Sequence, residues 1–156
     1  MKPLRSFFLI ALLLLIAPAL FAADFGIRVG RLNEADEEFV GAEMLFSVGR
    51  LNVNPNIEYW LVDEDADINA GTANLDITFD LGGTRFKPYV GGGIGLFYVD
   101  SDFAGDNTEV LGNLIGGIGF DLDFLKPYAQ VKYSVSLEDS GAGDSDELAF
   151  AVGLRF

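Results

Sequence analysis

Leu148-Ala149-Phe150-Ala151-Val152-Gly153-Leu154-Arg155-Phe156 closes the chain as a stretch with two unlike faces. In an extended strand Leu148, Phe150, Val152, Leu154 and Phe156 fall on one side, and Glu147, Ala149, Ala151, Gly153 and Arg155 on the other. The first face is large and wholly apolar; the second is small apart from its charged ends. A strand with lipid on one side and a cramped, partly polar interior on the other reads this way, and an aromatic last residue completes the pattern of a transmembrane β-barrel strand.

The same alternation recurs upstream. Eight segments carry it, near Phe25 to Leu32, Phe39 to Val48, Val53 to Val62, Ala70 to Leu81, Phe86 to Val99, Thr108 to Leu122, Leu125 to Leu137 and Leu148 to Phe156. The apolar face is plainest in Val40, Ala42, Met44, Phe46 and Val48, and again in Leu75, Ile77, Phe79 and Leu81. No helical period of comparable length follows the first two dozen residues. Those first residues have their own logic: Lys2 and Arg5 form a basic start, Phe7 to Ile16 an apolar run, and Ala17 to Ala23 a stretch of mainly small residues. The sequence therefore predicts a cleaved signal peptide over 1–23 and one barrel domain over 24–156.

Alternation alone does not say which face is inside, because a soluble lipocalin-like barrel would point its apolar face inward. Residue volume breaks the tie. The polar faces hold Gly26 and Gly30, then Gly91, Gly93 and Gly95, then Gly117 and Gly119, which suits a narrow interior. Aromatic placement agrees, since Phe25, Phe46, Phe79, Phe86, Phe120 and Phe156 cluster toward the short-turn ends of the strands and Tyr59, Tyr98 and Tyr133 toward the opposite ends. Two aromatic bands around an aliphatic belt are the girdles of a membrane span.

Composition limits the partners. The chain has no Cys and no His, and 24 acidic residues against 10 Lys and Arg give a net charge of −14. Nucleic acid is excluded as a natural partner, and thiolate or imidazole metal sites cannot form. The acid is concentrated between strands at one mouth: Glu34 to Glu38, Asp63 to Asp67, Asp100 to Glu109, and Glu138 to Glu147. Short turns near Gly49, Gly82 to Arg85, and Asp121 to Asp123 lie at the other mouth with most of the cations. Outer-membrane barrels keep short turns periplasmic and longer loops outside, so the acidic loops are expected to be extracellular and both mature termini periplasmic.

Lys87-Pro88-Tyr89-Val90-Gly91-Gly92-Gly93-Ile94-Gly95 is echoed by Lys126-Pro127-Tyr128 at the start of the seventh strand. With Phe156, these residues resemble the small OmpA/OmpX-type outer-membrane β-barrel domains. The resemblance covers the mature chain and implies an eight-stranded, up-and-down, antiparallel all-β barrel in the bacterial outer membrane. It implies partners in outer-membrane lipid and lipopolysaccharide, and in the assembly machinery, which would read Phe156 in the C-terminal strand. The peptidoglycan-binding domain of some larger relatives is not expected after Phe156.

An eight-stranded barrel is just wide enough for side chains to fill it. The expected inward set includes Trp60, Lys87, Tyr89, Asn113, Tyr128, Gln130 and Glu147, and a polar lumen network of Arg28, Glu43, Glu58, Asp76, Lys132 and Arg155. A structural or surface-interaction role with a closed lumen follows; a narrow channel or small-solute transport aid is the alternative. Asp63, Asp65 and Asp67 are weak candidates for a divalent cation, because Ile68 stands where a calcium loop of the EF-hand type needs Gly and Asn74 where it needs Glu. No catalytic site or cofactor is expected: acidic loops lack motif spacing, and no histidine is present to serve as a base near neutral pH.

Overall fold

The computed structural model describes residues 23–62, 68–101, 107–137 and 146–156. They form eight strands: β1 (Asp24–Leu32), β2 (Glu38–Val48), β3 (Leu51–Leu61), β4 (Ile68–Asp80), β5 (Phe86–Ser101), β6 (Asn107–Phe120), β7 (Lys126–Ser136) and β8 (Glu147–Arg155). Each pairs antiparallel with the next, and β8 pairs with β1 to close the ring. Closure removes every free edge, which is what allows a sheet to stand in hydrocarbon with its backbone groups satisfied. The expected strand limits agree with these to within two residues at each end.

The seam runs one residue past β8. The Phe156 N–H donates to the Phe25 carbonyl at 2.9 Å, and the Phe25 N–H donates back to Phe156 at 3.1 Å. Phe156 is therefore part of the barrel wall at the short-turn end.

The faces fall as the alternation requires. Ile27, Val152 and Leu114 are 58%, 57% and 66% exposed, whereas Arg28, Glu43 and Asp76 are buried. A barrel standing in water would invert that distribution, because the large aliphatic side chains would gain by leaving the solvent. Phe25, Phe79, Phe86 and Phe156 face outward near the short turns, and Phe86 meets Phe120 edge-on at 5.0 Å between ring centroids. Tyr59, Tyr98 and Tyr133 face outward toward the loop end.

Local chemistry explains the irregular points. Gly49, Gly82 and Gly83 take positive φ in the short turns, where a side chain would be strained. The β2–β3 register runs from Glu43↔Asn56 to Phe46↔Val53 with a gap opposite Pro55, which has no N–H to give. One expectation changes: the first acidic connection is not a long loop. Residues 33–37 make a compact turn, with the Leu32 N–H donating to Glu37 O at 2.7 Å and the two carboxylate oxygens of Glu147 accepting from the Glu34 and Ala35 N–H groups at 2.9 and 3.0 Å. A carboxylate from β8 takes the place of the water that a longer loop would recruit.

The inward glycines of β5 make room for β4. A Cβ on Gly93 would come within 2.2 Å of Asp76 Oδ1 and 2.5 Å of the Leu75 carbonyl, and one on Gly95 within 2.4 Å of Asn74 Oδ1. Gly116 on the outer face of β6 has nothing within 4 Å of such an atom. Gly93→Val is thus expected to destabilise the barrel by about 1–3 kcal/mol through overpacking, while Gly116→Val is tolerated. Urea unfolding of both variants in lipid vesicles checks this; equal effects would contradict it.

Candidate functional site

Every residue expected in the polar network faces the lumen, and the structure links five of the six by ion pairs. Arg155 Nε on β8 lies 2.6 Å from Glu43 Oε1 on β2. Glu43 Oε2 is 3.6 Å from Arg28 Nη1 on β1, and Arg28 Nη2 is 2.6 Å from Glu58 Oε1 on β3. Glu58 Oε2 in turn meets Lys132 Nζ on β7 at 2.6 Å. Since β3 and β7 are four strands apart either way round the ring, the last pair joins opposite walls. The chain of charges starts at the seam, runs over β1 to β3, and then crosses the lumen to β7, the strand beside the one it began on.

Asp76 is the sixth member and differs from the rest. It is 2% exposed and, among the described residues, has no cation within ion-pair distance. Amides hold it instead: Asn56 Nδ2 donates to Oδ2 at 2.8 Å, and Asn113 Nδ2 to Oδ1 at 3.2 Å. Asn113 also donates to Asn74, Asn74 to Asn56, and Ser134 to Asn113, at 3.0, 3.0 and 2.8 Å. With Arg28, Lys132 and Arg155 set against Glu43, Glu58 and Asp76, the buried side chains balance in charge. That balance matters because a lone ion in so dry a place would cost several kcal/mol.

The asparagines of β3 are what the sequence reading missed. Asn52, Asn54 and Asn56 share the inner face of β3 with Glu58, and Asn54 donates to Glu43 at 2.9 Å while Arg28 donates to Asn56. The signal was present as Asn at alternate positions leading into Glu58; it lacked charge and so drew no notice. Above this layer, toward the loops, the lumen turns apolar: Leu32, Phe39, Ala149 and Ala151 form a buried cluster with Trp60 against it. The lumen is therefore polar in its middle and apolar toward the loops, where the expected inward Trp60 lies.

The short-turn mouth is wetter. Lys126 pairs with Asp24 at 2.6 Å and Lys87 with Asp121 at 2.8 Å, with all four side chains partly exposed. The hydrogen bond from Lys87 holds the Asp121 carboxyl below its usual range. Exposed pairs of this kind add little stability. Inside them, Tyr89 donates to Gln130 at 3.1 Å, and the Arg155 guanidinium sits 3.9 Å over the Tyr128 ring. A cavity of about 320 Å³ separates these groups from the mouth.

Asp63, Asp65 and Asp67 lie outside the described residues, as do residues 1–22. Among the described residues no group of three or more carboxylates is placed to hold a metal.

No protein-family model matches the chain, and no curated protein matches it by sequence. Solved structures do match in fold. The N-terminal β-barrel domain of Pseudomonas aeruginosa OprF aligns over 85% of this chain and 97% of its own, with a TM-score of 0.64 at 15% identity. Neisserial surface protein A (NspA) aligns over 85% and 94%, with 0.67 at 12% identity. The outer-membrane enzyme PagL aligns over 85% and 98%, with 0.55 at 12% identity. The fold is that of the small outer-membrane barrels, and proteins with different roles share it.

Removing one partner of the cross-lumen pair should be costly and removing both should not. Lys132→Met leaves Glu58 short of a cation and is expected to lower stability by about 3–5 kcal/mol, whereas Lys132→Met with Glu58→Gln recovers much of the loss. Urea unfolding in vesicles, run as a double-mutant cycle, checks this; additive losses would contradict the pairing.

Proposed function

We propose that the protein is a closed outer-membrane barrel whose role is structural or interactive, with the acidic loops as its extracellular contact surface. The observation that carries this reading is the ion-pair chain from Arg155 through Glu43, Arg28 and Glu58 to Lys132, which links the walls across the lumen. Interleaved amides and the apolar cap add to the obstruction. A continuous aqueous path would need these pairs to separate, each at the cost of rehydrating or stranding a charge.

Orientation follows from charge and connection length. The short turns and both ends of the barrel chain lie at one mouth, which is assigned to the periplasm, and Glu34, Asp36, Glu37, Glu38, Asp146 and Glu147 at the other. Residues 1–23 would then be the removed export signal, with β1 beginning at Asp24. Phe156, bonded into the seam beside Phe25, is the residue through which the assembly machinery would recognise the last strand. The outer wall contacts lipid, and divalent ions could bridge the acidic loops to lipopolysaccharide phosphates. Calorimetry with calcium or magnesium at millimolar concentration tests that bridge; no heat of binding would remove it.

An enzymatic role is not proposed. PagL carries an activity on this fold, so the fold leaves the matter open. What argues against it is the side-chain chemistry: the buried carboxylates are committed to cations and amides, and the chain has no histidine or cysteine.

Two measurements test the reading. Planar-bilayer recording of refolded protein is expected to be silent, and reproducible discrete conductance would favour the narrow channel instead. Deleting Phe156 is expected to reduce delivery to the outer membrane while leaving the fold of any assembled barrel intact; undiminished delivery would remove Phe156 as the assembly signal.

A further inference from the structure

The loop-end mouth of the lumen contains a cavity of about 350 Å³ that the ion-pair chain does not fill. Its walls are apolar and aromatic. Leu32, Leu111 and Ala149 line it, and Trp60 and Phe97 pack against one another at 4.7 Å between centroids, with their ring planes tilted by 35°. Toward the lumen centre it ends on the Glu58–Lys132 pair, already satisfied at 2.6 Å. Five carboxylates and one ammonium line it in all, so its field is negative once that pair is set aside.

Most of the rim acids have work to do. Glu147 accepts from the Glu34 and Ala35 N–H groups, Glu34 from Asn33 at 3.0 Å, and Asp146 from the Tyr133 hydroxyl. Glu109 is different: among the described residues it has no ion-pair partner. Register places it directly opposite Phe97 on the inner face, at the end of a row that runs through Glu58 and Thr72. A second group is also left over, because the Trp60 indole N–H is buried without an acceptor among the described residues. A buried donor with no partner is costly, and a ligand that supplies the acceptor recovers that cost.

We infer that this vestibule binds a small organic ammonium bearing an apolar body and an oxygen acceptor. The ammonium pairs with Glu109, the body lies against Trp60 and Phe97, and the oxygen accepts from the Trp60 N–H. Cation–π attraction from the indole and the Glu109 charge then act on one group from two sides. A bare metal ion is a poor fit, since apolar walls offer few oxygens to replace its hydration shell. This site lies inside the barrel mouth and goes beyond a contact surface on the loops.

Trp60 is the single tryptophan of the chain, which makes it a built-in reporter. Refolded protein in uncharged maltoside micelles at pH 7 would be titrated with 2-amino-1-phenylethanol, with neutral 1-phenyl-1,2-ethanediol, with anionic mandelate, and with calcium alone, exciting Trp60 selectively. The ammonium is expected to give a saturable emission change at least about tenfold tighter than the diol or mandelate. Glu109→Gln should weaken it about tenfold, and Glu38→Gln, which removes the same charge from outside the cavity, should leave it within about twofold. The inference is overturned if no saturable change occurs, if diol, mandelate or calcium matches the ammonium, or if Glu38→Gln weakens binding as much as Glu109→Gln. Heat-modifiable migration on a gel verifies that each variant is folded. Should Glu109→Gln fail to fold, the ligand comparison on the unaltered protein decides alone.

Discussion

A barrel in lipid must solve two problems with one strand pattern, and the second is the harder. The wall outside is satisfied by almost any large apolar side chain, because hydrocarbon makes no demand on direction. Inside, eight strands enclose a narrow lumen, so whatever charge enters its buried middle must be neutralised by partners on other strands. Arg28 sits at the centre of that constraint. Its guanidinium reaches Glu43 and Glu58 and donates to Asn56, and through Glu58 it is tied to Lys132 on the wall opposite β3. The planar fork of arginine suits the task, since it can meet two carboxylates and an amide from one anchor point.

Space for this network comes from residues that contribute nothing to it. Gly91, Gly93 and Gly95 present bare backbone to β4, and the freed volume is taken by Asp76, Asn74 and Thr78. Gly26 and Gly41 do the same beside Glu43 and Arg28. Polar bulk on one strand is thus matched by its absence on a neighbour. The same rationing explains why Asp76 can be buried without a cation in contact: the carboxylate is reached by amide donors from β3 and β6, and glycine on β5 leaves them room.

The lumen is graded along its axis. Partly exposed pairs stand at the short-turn mouth, a dry ion-pair and amide layer lies in the middle, and an apolar cap with an acid-rimmed cavity opens toward the loops. Each layer follows a different rule for satisfying polar groups: water at the mouth, mutual pairing in the middle, and avoidance in the cap. Where that last rule breaks, at the Trp60 N–H and beside Glu109, the barrel offers chemistry that its own side chains leave unused.

Strand number, strand limits, the outward faces and the two aromatic bands were legible in the sequence, because a period of two is a local property and lipid rewards it at each position separately. So was the membership of Arg28, Glu43, Glu58, Asp76, Lys132 and Arg155 in the inward set. The sequence also carried Asn52, Asn54 and Asn56 in plain alternation, but neutral amides announce no partner until a neighbour is known. Who pairs with whom was decided only by the tertiary structure. Glu58 and Lys132 stand 74 positions apart, and they meet because ring closure and the stagger between strands set their heights across the lumen. Likewise Phe39 and Leu32 could be read as inward by parity, but only closure brings them to Ala149 and Ala151 as a cap. Alternation fixes a direction for each side chain, whereas contact across a barrel depends on the summed registers of all the strands between.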